Sequence, residues 1–180
     1  MKFVNLLAIL SILAFASCNN ETESNPKPVI SDLTVSSEHD HGDHARVSDE
    51  ETVLEPGGEA IVEAHLTGTA LSYVQVDIHF GGDHDHSHSR MLAAEDSAWT
   101  QVITYYFGKS QDELGENEIA LDPTNPAEYH FDQHIDVPET LGGLPVREGD
   151  YHFVMHLVDL DTQEAEPQYV TVEIHEDHDH

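Results

Sequence analysis

The stretch Leu71-Ser-Tyr-Val-Gln-Val-Asp-Ile-His-Phe80 decides the fold, because apolar and polar residues alternate along it. Successive side chains of a β-strand point to opposite faces, so this alternation is typical of a strand with one buried face. Every second residue belongs to the predicted core face: Val74, Val76, Ile78 and Phe80. The opposite face is polar and ends in His79, which we expect to lie outside the core.

The same alternation recurs along the chain, and clusters of Gly, Pro, Asn and Asp separate its segments. Seven strands are predicted, at residues 29–35, 60–67, 71–80, 100–107, 129–137, 151–158 and 169–175. Residues 111–126 have few apolar positions and are predicted to be an irregular insertion. Seven strands at this spacing predict an all-β protein, an immunoglobulin-like antiparallel β-sandwich.

The sixth and seventh predicted strands have the same two-faced pattern. Gly149-Asp150-Tyr151 resembles the tyrosine corner at the start of a strand in immunoglobulin-like domains. The predicted inward residues are Tyr151, Phe153, Met155, Leu157, Val170, Val172 and Ile174. The outward residues include His152 in the sixth strand and His175 at the end of the seventh.

The N-terminus has the features of an export signal. Lys2 precedes an apolar stretch too short to span a bilayer, and small residues lead into Cys18 as in a bacterial lipobox, with Phe15 in place of the usual Leu. We expect residues 1–17 to be a signal peptide, 18–27 a lipidated tether and 28–180 the sandwich with its His-rich loops and tail. Acylation of Cys18 would anchor the protein in the cell envelope, in the outer membrane, facing the periplasm or the cell surface.

Composition limits the partners of the chain. Asp and Glu outnumber Lys and Arg by 36 to 6, which gives a formal net charge of -30. This charge disfavours nucleic acid and anionic lipid headgroups and concentrates cations near the surface. Cys18 is the only cysteine, so the chain forms neither an internal disulfide nor a thiolate metal site.

Histidine is concentrated in three acidic runs. Nine of the fifteen histidines lie in them: His39, His41, His44, His84, His86, His88, His175, His178 and His180. Imidazole is the commonest transition-metal ligand, and the interleaved carboxylates supply oxygen ligands, so the runs predict binding of zinc or copper(II). The alternative is a solvated acidic surface on which histidine is merely tolerated.

The strand order predicts that the three runs meet. In an antiparallel sandwich, the loop after the first strand, the loop after the third and the end of the seventh share one pole. His79, His152 and His175 are predicted to form one row across neighbouring strands, with a fourth ligand from residues 84–88. A weaker candidate on the other sheet comprises His65, His130 and His134. We expect His156, about 13 Å along the strand from His152, to be a surface residue.

Four segments together resemble a known family. They are the lipobox, Lys27-Pro28-Val29-Ile30, the Tyr73-Val-Gln-Val-Asp77-Ile-His79-Phe strand before its His-rich loop, and Gly149-Asp-Tyr-His-Phe. In these the chain is similar to uncharacterised immunoglobulin-like lipoproteins of the Bacteroidota type, a domain of unknown function. The resemblance implies fold and location and adds little about activity.

Three functions are compatible with these features. The first is a lipid-anchored, extracytoplasmic metal-binding protein that buffers, sequesters or delivers a divalent ion; the second is an envelope interaction module for a protein or glycan, with incidental His runs. A metalloenzyme ranks last. Copper–zinc superoxide dismutase shares the sandwich architecture, but its disulfide cannot form in a chain with one cysteine, and no general acid or base stands out. We therefore expect a protein that is not an enzyme. Asp159-Leu-Asp161 lacks the glycine and distal glutamate of an EF-hand, so a hairpin turn is expected there.

Overall fold

The computed structural model describes residues 25–37, 52–81 and 96–175. A 3-10 helix spans Gln111–Glu113, and the strands of these ranges are β1 Val29–Ser37, β2 Val53–Leu54, β3 Glu59–Thr67, β4 Leu71–Phe80, β5 Thr100–Phe107, β6 Glu118–Asp122, β7 Glu128–Asp136, β8 Thr140–Leu141, β9 Leu144–Pro145, β10 Gly149–Asp159 and β11 Gln168–Ile174. None of the helical structure in the described ranges is long and apolar enough to cross a membrane. Cys18 and the N-terminal segment lie outside the described residues.

The strands form two main sheets that enclose the core. One has the order β1-β3-β7, and the other has the order β2-β11-β10-β4-β5-β6. All pairs are antiparallel except those at the edges of the larger sheet, where β2 pairs with β11 and β6 with β5 in parallel. The predicted antiparallel immunoglobulin-like sandwich is confirmed, and each of the seven predicted strands is present to within two residues.

The alternating apolar residues fill the space between the sheets, as predicted. The inward residues of β4 and β10 are buried, and the partly buried Phe80 and Val170 pack against the same core. Tyr105 and Phe131 join the two sheets through an edge-to-face contact with ring centroids 5.0 Å apart. Burial of one face leaves the other face of each sheet to polar side chains, which include the histidines considered below.

The predicted irregular insertion at residues 111–126 is partly wrong, because it contains β6. Polar contacts, rather than an alternating apolar pattern, fix the position of this edge strand. The Gln111 side chain donates to the Glu118 carbonyl oxygen at 2.9 Å and accepts from the Ala120 amide at 2.9 Å. The Tyr106 hydroxyl of β5 donates to Glu118 Oε1 at 3.1 Å. A strand held by side-chain hydrogen bonds has no hydrophobic period from which to predict it.

The tyrosine corner at the start of β10 is confirmed. The Tyr151 hydroxyl donates to the Arg147 carbonyl oxygen at 2.8 Å and accepts from the Trp99 amide at 3.2 Å. The Trp99 ring also packs against Tyr151 and Phe153, with centroids 6.1 and 5.8 Å away. Burial raises the pKa of Tyr151, so its hydroxyl stays protonated and keeps both hydrogen bonds. This corner fixes where β10 begins and therefore where its histidines lie.

The strand ends next to the three His runs share one pole of the sandwich. Ser37 pairs with Ala60, His79 with Thr100, and Gly149 with Ile174. A short segment connects the two sheets there. Leu54 pairs with Ile174 in the larger sheet, and the nearby Gly57 amide donates to the carbonyl oxygen of Val137, which follows β7 of the smaller sheet. Most of the run histidines lie outside the described residues: His39, His41, His44, His84, His86, His88, His178 and His180.

Candidate metal centres

The outer face of the larger sheet brings two of the predicted histidines together. His79 of β4 pairs directly with His152 of β10, and their rings meet edge to face with centroids 5.4 Å apart. Asp77 Oδ1 lies 3.4 Å from His79 Nδ1 and can orient that ring. The pair supplies two nitrogen ligands, and the ligands predicted from residues 84–88 lie outside the described residues.

The prediction that His175 completes this row is wrong. On β11 the residue opposite His152 is Thr171, whereas Ile174 is opposite Gly149. His175 therefore lies four residues beyond the row, about 13 Å along the strand, and its Nδ1 is 3.7 Å from Glu148 Oε1. The error arose because β10 begins at Gly149, earlier than predicted, which places His152 inside the sheet.

The neighbour of His152 on the β11 side is aromatic. The rings of His152 and Tyr169 have centroids 5.8 Å apart. On the other side, a Cβ added at Gly81 would lie 2.9 Å from His152 Nε2, so the absence of a side chain there lets the imidazole approach the backbone. His152 is thus packed on three sides, by His79, Tyr169 and Gly81, and its ring has a defined position.

The smaller sheet carries a more complete group of metal-binding atoms. Glu63 of β3 and His130 and Asp132 of β7 each offer one ligand atom, and these atoms all lie within 4.8 Å of one another. His130 Nε2 is 3.7 Å from Glu63 Oε1. Two ligands about 2.1 Å from a tetrahedral zinc ion are roughly 3.4 Å apart. Small side-chain rotations would therefore bring these three atoms onto one ion.

The register of β3 and β7 builds this group. Glu63 pairs with Asp132 and His65 with His130, so His130 is the diagonal neighbour of Glu63. All of these residues alternate with core residues such as Ala64 and Phe131, which hold the two strands against the sandwich. Glu63 is half-buried while His130 and Asp132 are exposed, so an ion from solvent can reach the group.

Two further histidine–carboxylate pairs flank the group. His65 Nε2 is 3.2 Å from Glu128 Oε1, and His134 Nδ1 is 2.9 Å from Glu59 Oε2. Each pair joins β3 to β7 across the same outer face. This face therefore carries three imidazoles surrounded by carboxylates, with the three-ligand group at its centre. We name Glu63, His130 and Asp132 the sheet cluster.

The sequence predicts this face only in part. It predicts a group of His65, His130 and His134, whereas the structure groups His130 with the carboxylates of Glu63 and Asp132. The available signal was the two-residue spacing in Glu63-Ala-His65 and His130-Phe-Asp132, which places acid and imidazole side by side on facing strands.

Comparison with known proteins places the chain in a family. The family model described as a domain of unknown function, DUF4625, matches residues 16–174. The chain belongs to this family. Among curated proteins, none matches the chain.

Several solved structures resemble the fold. OgpA from Akkermansia muciniphila aligns with a TM-score of 0.42 and 12% identity over 84% of this chain. The sporulation control protein Spo0M from Bacillus subtilis aligns with a TM-score of 0.37 and 14% identity over 85%. This chain spans 29% of the length of the first protein and 51% of the second.

A third structure is the CARDB domain of the PF1109 protein from Pyrococcus furiosus in complex with di-metal ions. It aligns with a TM-score of 0.30 and 11% identity over 83% of this chain and 90% of its own. It shares the β-rich architecture. The di-metal ions belong to the complex of that domain.

Proposed function

We propose that this protein binds a divalent transition-metal ion, of the zinc or copper class, and buffers, sequesters or delivers it. The observation that carries the proposal is the sheet cluster, in which an imidazole nitrogen and two carboxylate oxygens lie within 4.8 Å of one another. Three protein ligands with open positions for water suit zinc, and the nitrogen ligand favours zinc or copper over magnesium and calcium. The protein acts as a binder and not as an enzyme.

The charge of the chain supports this proposal. A formal net charge of -30 attracts cations to the whole surface. The three His-rich runs then offer additional imidazole and carboxylate ligands. Ions captured there would exchange with the sheet cluster, where strands hold the ligands, and with His79 and His152.

We further propose that the protein is a lipoprotein of the Bacteroidota type, anchored in the cell envelope through Cys18. The lipobox-like sequence before this single cysteine supports the anchor. Cys18→Ser is expected to leave the precursor uncleaved or to release the protein from the membrane fraction, because no other residue can take the thioether-linked lipid. Detergent partitioning and the mass of the processed chain measure this. Full partitioning of the variant with the wild-type mass would contradict the anchor.

The binding test separates the sheet cluster from the runs. In a run-free variant the eight histidines outside the described residues are replaced by Asn: His39, His41, His44, His84, His86, His88, His178 and His180. Calorimetric titration with zinc or copper(II) is expected to show fewer ions per chain than wild type but a retained tight site. Complete loss of binding would contradict a site on the sheet, and unchanged stoichiometry would contradict binding by the runs.

Metal affinity is expected to fall steeply when the pH drops below about 6. Neutral imidazole is the ligand, so protons compete with the metal for the same nitrogen, and free histidine titrates near about 6.5. The metal-bound protein is therefore favoured above about pH 6, and the metal is lost below it. Titrations of the run-free variant between pH 5 and pH 8 measure the effect; these values bracket the ordinary titration of histidine. A flat profile would indicate carboxylate ligands alone.

A further inference from the structure

The turn between β10 and β11 begins at a buried carboxylate. Asp159, the last residue of β10, is only 2% exposed. Its Oδ1 accepts from the Gln163 amide at 2.9 Å, but its Oδ2 has no hydrogen-bond partner among the described residues. A buried charged oxygen without a partner is costly, and such atoms commonly mark the place of an ion or water.

The turn that begins at Asp159 is rich in other oxygen atoms. The Asp159 carboxylate lies within the turn because the Gln163 amide holds its other oxygen there, while the Asp159 amide donates to the Gln163 carbonyl at 3.1 Å. Asp161 Oδ2 accepts from Asn25 Nδ2 at 2.6 Å, and Gln163 Nε2 donates to the Asn25 carbonyl oxygen at 3.0 Å. Hydrogen bonds thus link the carboxylates of Asp159 and Asp161 through Gln163 and Asn25.

We propose that this turn binds a calcium ion through the carboxylates of Asp159 and Asp161. Calcium accepts six to eight oxygen ligands at about 2.3–2.6 Å in flexible geometry, and it uses carboxylates, amides and backbone carbonyls together. If the side-chain amide of Gln163 flips, its oxygen can bind the ion in place of its nitrogen. The Asn25 carbonyl oxygen, which accepts from that nitrogen, is then free to bind the ion as well. A water molecule would satisfy the Asp159 Oδ2 atom but would leave the charge of this buried carboxylate uncompensated.

The site is separate from the proposed transition-metal centres in both chemistry and place. It offers oxygen ligands only. It lies at the opposite end of β4 from His79, since Asp159 pairs with Leu71 at the start of that strand. Asn25 lies near the end of the predicted tether, residues 18–27, shortly before β1. Calcium would therefore fasten the beginning of the chain to the β10–β11 turn and stabilise the junction between tether and domain.

The test is a thermal unfolding series on the full chain after removal of metals with a chelator. Calcium chloride at millimolar concentration is expected to raise the Tm of wild type by several degrees, because a ligand that binds only the folded state stabilises it. Magnesium chloride at the same concentration is the control for screening of the large negative charge. Asp161→Asn and Asp159→Asn are each expected to weaken calcium binding, measured by calorimetry, at least tenfold. Glu166→Gln is the matched control, because it removes one negative charge from an exposed residue of the same hairpin.

The thermal unfolding series has one set of results that supports the calcium site and one that overturns it. A calcium effect that exceeds the magnesium effect, disappears in Asp161→Asn and persists in Glu166→Gln supports the site. Asp161 is exposed, so its replacement tests the proposal even if Asp159→Asn fails to fold. Equal effects of the two salts, or a calcium effect that survives in Asp161→Asn, would overturn it. None of these results depends on zinc or copper binding at the sheet cluster.

Discussion

In the run-free variant, replacement of His130 by Ala is expected to weaken zinc binding by on the order of a hundredfold or more. His130 supplies the only imidazole nitrogen of the sheet cluster, and its Nε2 lies 3.7 Å from Glu63 Oε1. Without it, two carboxylates on adjacent strands remain, and these are poorer ligands for zinc or copper. Loss of even an outer-shell partner of a metal ligand typically costs 10- to 100-fold in affinity, so loss of the ligand itself should cost at least as much.

His65→Ala is the matched control for this experiment. His65 pairs with His130 across the strands, but its Nε2 contacts Glu128 and it is not a member of the sheet cluster. Its removal should reduce affinity far less than removal of His130. Competition titrations with a chelator of known zinc affinity give both values. Equal losses would mean that the whole acidic face attracts the ion, and no loss in His130→Ala would exclude the sheet cluster as the tight site.

Tyr151→Phe is expected to lower the free energy of unfolding by about 2–3 kcal/mol. The change leaves the amide of the buried Trp99 without an acceptor and the Arg147 carbonyl without a donor. An unpaired buried polar group typically costs about 1–3 kcal/mol. For a domain of this size, the loss corresponds to a decrease in Tm of roughly 5–10 °C.

The hydroxyl of Tyr73 provides the comparison. Tyr73 is half-buried on the outer face of β4, where its ring packs against Tyr106 and its hydroxyl has no hydrogen bond to the described part of the chain. Tyr73→Phe should therefore leave the Tm nearly unchanged. Chemical denaturation of both variants measures the difference. Equal stability of Tyr151→Phe and wild type would show that the tyrosine corner contributes nothing to the sandwich.

The buried and exposed residues of each strand were predictable from the sequence, because the alternation within a single strand is enough to identify its two faces. Val74, Val76 and Ile78 illustrate this, since period-two alternation alone identifies their face. The meeting of His79 and His152 was also predictable, since strand ends and neighbours set it. The position of His175 was not, because it depends on the register of β10 against β11, and a small error in where β10 begins moves it to another row.

The sheet cluster shows a different limit. Its ligands come from β3 and β7, which are 60 or more residues apart in sequence, and the cluster exists only because Glu63 pairs with Asp132. A shift of the register by one residue would turn the acids and imidazoles of one strand to the opposite face from those of the other strand. Long-range register is set by packing of both buried faces at once, and this information is not local to either strand.

Equilibrium dialysis followed by elemental analysis tests the central claim most directly. Wild type, the run-free variant and the run-free variant with His130→Ala would be prepared from metal-replete cells and dialysed against metal-free buffer. We predict that wild type and the run-free variant each retain zinc or copper in at least one equivalent, whereas the variant that also lacks His130 retains much less. Wild-type protein that keeps no transition metal after dialysis would contradict the account.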